Sequence, residues 1–94
     1  MRKKAKKIMS KRDELVNITN DDELLFMDPA RFDAAIVGYV EGIGRADVVC
    51  YDRVKVLEIL MEDGMDYDEA EEYYSFNVVG AYMGEKTPVF LTNL

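Results

Sequence analysis

Seven carboxylates fall within eleven residues of this chain, in the stretch EDGMDYDEAEE: Glu62, Asp63, Asp66, Asp68, Glu69, Glu71 and Glu72. Such a density invites a calcium-loop reading, which needs oxygen ligands at alternate positions, a central glycine and a glutamate at position twelve. Counted from Asp63, the glycine stands second instead of sixth, so no metal site is expected. The ordinary role of such a run is to complement the positive end of a helix and to solvate its outer face. Like charges packed this closely cost stability, so the run is also a candidate partner-binding patch. A second candidate is GAYMGEKT, residues 80–87, which resembles a phosphate-binding loop. The loop requires G-x-x-x-x-G-K-[ST] between a strand and a helix. Here the glycines are one residue too close, Glu85 intervenes before Lys86, and Pro88 stands where the cradling helix would begin. This reads as a turn. GIGRAD, residues 42–47, lacks the third glycine of a dinucleotide fingerprint and reads as a hairpin turn. Tyr51, Arg53, Asn77 and Tyr82 supply the polar and aromatic groups that could line a site for a nucleotide-like small molecule.

The chain contains no histidine. That removes the usual proton shuttle near neutral pH, the histidine-activated nucleophiles and the common zinc constellations. A non-enzymatic protein without a cofactor is the expectation. Cys50 is the single cysteine, so no internal disulfide can form, and in DVVCY it reads as a small buried hydrophobe suited to a reducing compartment. Neither a signal peptide nor a membrane span is legible, and a cytoplasmic location with no membrane partner is expected.

Charge is divided unevenly. Arg2, Lys3, Lys4, Lys6, Lys7, Lys11 and Arg12 place seven positive charges in the first twelve residues; the remaining five basic residues face all nineteen acidic ones, leaving −14 on residues 13–94 and −7 on the whole. An acidic body repels nucleic acid and attracts basic protein surfaces, while the arm is a candidate for phosphate contact.

These groups need elements to position them. Ninety-four residues make one core, read as a basic helical or disordered arm over residues 1–20 and a single α+β domain over 21–94. Ser10 and Asp13 form an N-cap pattern ahead of Leu15, Val16 and Ile18. LLFM fits either a short strand or a last helical turn, and DPARF predicts one helical turn near 29–33. Two β-branched runs flank Gly42 and Gly44, which predicts a hairpin. Asp52 caps a helix whose buried face is drawn from Val54, Val56, Leu57, Leu60 and Met61 and which stops at Gly64. Asp66 and Glu69 resemble a capping box opening the next helix, with Tyr73, Phe76 and Asn77 toward the core. PVFLT closes the chain as a strand. The expected order is β-β-α-α-β, a small antiparallel sheet with a helical hairpin on one face.

From Asp33 onward, FDAAIVG followed by YDRVKVLEILMEDGMDYDEAEEYYSFNVVGAYMGEKTPVF resembles a family of small uncharacterised bacteriophage and prophage proteins. The likeness covers about two-thirds of the chain, leaves out the basic arm, and departs from the family pattern at Tyr74-Ser75. It carries over no catalytic residue and implies an accessory role in an infected cell. With the acidic surface, it leads to the expectation of a protein that binds and inhibits a host or anti-phage defence protein at a basic or nucleic-acid-binding site. Sequestration of a nucleotide-like molecule, or nucleic-acid binding through the arm, are the alternatives. A homo-oligomer through an uncovered sheet edge is compatible with the pattern.

Overall fold

The computed structural model describes residues 10–94. Ser10 opens the first helix, α1 (Lys11–Thr19), by accepting a hydrogen bond from the Asp13 amide at 3.1 Å; Asn20, in left-handed conformation, ends it. Leu15 is buried and Val16 half-buried, while Ile18 points to solvent. Leu24–Met27 is neither strand nor helix but an irregular segment, and the turn expected near Pro29 is a 3₁₀ helix over Ala30–Ala35.

Strands β1 (Ile36–Gly42) and β2 (Arg45–Asp52) form the expected antiparallel hairpin, closed by Ile43 and by Gly44 at φ 73°. Asp52 then caps α2 (Arg53–Glu62) through a bond from the Val54 amide at 3.0 Å, and Gly64 at φ 109° stops it. The buried face of α2 is Val56, Leu57, Ile59 and Leu60; Val54 and Met61, expected inside, are exposed. Helix α3 (Tyr67–Tyr73) opens on a complete capping box between Asp66 and Glu69. It widens into a π turn over Tyr74–Val79, closed by a bond from the Gly80 amide to the Ser75 carbonyl.

The chain is of the α+β class, but its sheet is mixed, not antiparallel throughout. The last strand, β3 (Val89–Leu91), lies parallel to β2, with Cys50 opposite Val89 and Asp52 opposite Leu91. The strand order is β1-β2-β3. A helical hairpin alone would return the chain to the end of β2 and set up an antiparallel partner. The extra pass is made by the loop after the π turn, which runs Tyr82, Gly84, Glu85 and Thr87 alongside Ala46 and Val48 before turning into β3.

The core lies between the sheet and α2, α3 and α1. Val49 and Tyr51 of β2, Val56 of α2 and Ala70 of α3 are fully buried there, joined by Leu15, Phe32 and Ile36. Phe90 of β3 stacks on Tyr51 at 5.8 Å between centroids and meets the edge of Tyr74 at 5.5 Å.

Candidate functional site

Of the seven clustered carboxylates, the fold uses four internally. Asp63 forms a bidentate pair with Arg31, which comes from the 3₁₀ helix. Asp66 caps α3, and Glu69 returns a bond to the Asp66 amide at 2.9 Å. Glu71 accepts from Arg53 at 2.5 Å and from the Tyr67 hydroxyl at 2.9 Å. Those two donors hold the Glu71 carboxyl below its usual range, the tyrosine being the larger cause, and the same contact raises Arg53. Glu62, Asp68 and Glu72 remain exposed and make no hydrogen bond or ion pair among the described residues.

Beside them lies an aromatic surface that the sequence had assigned to the core. The π turn is part of the cause. Buried positions on this segment run Ala70, Tyr74 and, half-buried, Val78, a spacing of four that matches the widened turn. Asn77 is thereby left outside; Tyr73, which precedes the turn, and Phe76, which lies off the Ala70–Tyr74 stripe at ordinary helical spacing too, are also exposed, Phe76 with 73% of its surface. Met65, Glu69, Glu72, Tyr73, Phe76 and Asn77 together line an open depression of about 390 Å³. Acidic and aromatic side chains alternate along it on successive turns of the same helical segment.

The four residues proposed as a small-molecule lining are dispersed. Tyr51 is fully buried, its hydroxyl accepting the Met27 amide at 2.7 Å. Arg53 is held by Glu71 and lies over the Tyr74 ring. Asn77 faces a cleft of about 220 Å³ that also includes Phe26, Phe32, Tyr73 and Phe90. Tyr82, 80% exposed, belongs to a different cavity on the far side of the sheet. That cleft was missed because its walls come from four separate segments.

Of the basic arm, Arg2, Lys3, Lys4, Lys6 and Lys7 lie outside the described residues. Lys11 and Arg12 are committed to the body. The Lys11 ammonium donates to the carbonyls of Ala34 and Ile36, and Arg12 pairs with Asp33 at 2.7 Å, donates to the Met27 carbonyl and covers the Phe26 ring. GEKT is a turn as expected: Gly84 takes φ 100°, the Thr87 amide and hydroxyl both donate to the Gly84 carbonyl, and Lys86 is bound to Asp21 at 2.7 Å. Gly80 is needed for closeness, since a Cβ there would stand 3.0 Å from the Ser75 and Phe76 carbonyl oxygens.

Cys50 is buried, and burial followed by the charge of Asp52 pushes its thiol up, away from a reactive thiolate. Among the described residues no group of three or more acidic or cysteine side chains is placed to hold a metal ion, and no helix is long and apolar enough to cross a membrane. No family model matches this sequence, and neither does any curated protein or solved structure with which it was compared.

Proposed function

We propose that this chain acts by binding, offering the acidic and aromatic surface of α3 and the π turn to a basic protein partner. The observation that carries the reading is the depression lined by Glu69 and Glu72 together with Tyr73 and Phe76. Protein interfaces draw most of their affinity from a few desolvated aromatic anchors, while charges at the rim govern encounter rate and partner choice. Glu62, Asp68 and Glu72 carry charge that no other described residue pairs with, which suits a lysine- or arginine-rich counterpart. The resemblance to bacteriophage proteins points to that counterpart in a host or defence protein, with occlusion of a basic, nucleic-acid-binding site as the inhibitory act. A chain free of histidine supports binding over catalysis.

The test is affinity capture from bacterial extract with the wild type, with Asp68→Lys/Glu72→Lys and with Phe76→Ala. All three substitutions are at exposed positions, so the fold should persist, as circular dichroism will check. A protein retained by the wild type and lost by both variants is the expected partner, with Phe76→Ala weakening it roughly tenfold or more. Equal retention by all three forms sinks the assignment.

A second reading is favoured by the cleft lined by Phe26, Phe32, Tyr73, Asn77 and Phe90, which suits a small planar molecule. Its volume of about 220 Å³ is under the roughly 300 Å³ at which ligand pockets begin, so it ranks second.

A further inference from the structure

Strand β2 reads Val48-Val49-Cys50-Tyr51, an apolar run with no alternation, and all four residues are buried. Such a run belongs to a strand covered on both faces. Val49 and Tyr51 face the core; Val48 and Cys50 are not part of that cluster and face the opposite side of the sheet. Among the described residues no helix lies there, and the loop that carries Tyr82, Gly84, Glu85 and Thr87 borders that side. Register places Gly38 and Val40 of β1 beside Cys50 and Val48, and Val89 of β3 beside Cys50, so one apolar face extends across all three strands.

Val40 and Val89 are partly exposed on this face, and Ile43 and Tyr82 stand almost fully exposed at its margin. Val40, Ala46, Val48 and Val89 line, with Ile43 and Tyr82, an open cavity of about 520 Å³. These exposed apolar groups lie together on one face and not singly over the surface.

The rim of this cavity holds two charged side chains, Arg45 on the hairpin and Glu85 on the returning loop. Both are exposed, and neither makes a hydrogen bond or salt bridge among the described residues, with each other or elsewhere. Arg45 is directed by its stem, which lies across Gly42 so closely that a Cβ there would stand 2.6 Å from the arginine Cδ. One cation and one anion on the border of a shared apolar patch make a surface complementary to itself. In a two-fold pair every contact occurs twice, so a patch bearing both halves of an ion pair can satisfy each with the other copy.

We propose that this outer sheet face packs on the same face of a second copy of the chain, with Arg45 of each subunit meeting Glu85 of the other. The pair is a sheet-on-sheet dimer, with the exposed Val40 and Val89 at its centre. Its helices point outward, so the acidic and aromatic depression on α3 stays open on both subunits. The inference is therefore independent of the binding function proposed above.

Sedimentation velocity on the full chain at about 10–200 µM tests it. The wild type is expected at twice the 10.8 kDa chain mass. Val40→Glu/Ile43→Glu changes two exposed positions and should give a monomer with unaltered circular dichroism. Arg45→Glu and Glu85→Arg should each weaken the dimer about tenfold or more, and an equimolar mixture of the two should restore it, because the mixed pair regains both ion pairs. A wild type that stays monomeric at 200 µM overturns the proposal, whether the face is bare or covered by another protein. A dimer that survives Val40→Glu/Ile43→Glu, or swapped variants that do not recover on mixing, overturns it equally.

Discussion

Replacing Arg12 by alanine should unfasten α1 from the body at a cost of about 2–3 kcal/mol. Its guanidinium makes three contacts at once. The Nε bond to Asp33 at 2.7 Å is charge-assisted, a class that contributes about 1.5–3 kcal/mol. Its stacking over Phe26, at 4.6 Å, adds about 0.5–1 kcal/mol, and the Met27 carbonyl would lose its donor as well. These terms do not add in full, because the side chains of Arg12 and Asp33 are 33% and 22% exposed and water screens the pair. One factor works in the other direction. Asp33 Oδ1 is already buried with no partner, so losing Arg12 would leave the carboxylate without a compensating cation on either oxygen. Against a total of roughly 5–14 kcal/mol for a domain of this size, the loss is large and should lower Tm by about 10–20 °C. Urea unfolding followed by circular dichroism would measure it, at a concentration low enough to hold the chain monomeric and with the slope m unchanged. A cycle with Asp33→Asn should give a coupling of about 1–2 kcal/mol. Arg12→Lys should recover under half of the loss, since an ammonium cannot reach Asp33 and Met27 together while stacking on Phe26. A cost below about 0.5 kcal/mol, the range of ordinary surface substitutions, would refute the reasoning. It would also return Arg12 to the set of cations free for phosphate.

Three further outcomes follow from the same contacts. Tyr51→Phe keeps the buried ring but strands the Met27 amide, and should cost about 1–2 kcal/mol in urea; a change under 0.3 kcal/mol would mean that water replaces the hydroxyl. Glu71 and Asp21 both have folded pKa values below their ordinary ones, so the unfolded chain binds more protons as the pH falls. Their contribution is therefore complete above the ordinary carboxyl range, about pH 4, and disappears below it as the folded groups protonate. Urea midpoints at pH 7, 4 and 3 should decline for the wild type and decline less steeply for Glu71→Gln; parallel curves would show that the Arg53 and Tyr67 contacts contribute nothing. Finally, Cys50 should resist a thiol-specific disulfide reagent at pH 8 in the native protein and react fully in denaturant, whereas rapid native labelling would contradict its burial.

How far the sequence could be read depended on how local each cause was. The caps at Ser10, Asp52 and Asp66, the stop at Gly64 and the turn at Gly44 all act within a few residues, and each is found where the pattern places it. The direction of β3 was not legible, because it depends on an irregular loop that brings residues 82–87, with their turn at Gly84–Thr87, beside β2, which no periodicity records. The face of α3 was misread for a related reason. A period of 3.6 from Ala70 falls on Tyr74 and then on Asn77, whereas the π turn that begins at Tyr74 carries the buried stripe on to Val78.

The candidate site shows the same division more sharply. Seven carboxylates could be counted in the sequence, but their availability is fixed by partners far along the chain, Arg31 for Asp63 and Arg53 for Glu71, 32 and 18 residues away. Composition therefore overstated the acidic surface and understated the aromatic one. The two errors have opposite consequences for binding. Three exposed carboxylates without a partner among the described residues would steer a basic protein but hold it weakly, since exposed ion pairs contribute about 0–1 kcal/mol each. Phe76 and Tyr73, exposed on the outer side of this segment, supply the apolar area that converts an encounter into a complex. If that division of labour is correct, Asp68→Lys/Glu72→Lys should act mainly on the association rate and its salt dependence, and Phe76→Ala mainly on dissociation. The reverse pattern would mean that the depression is not the centre of the interface.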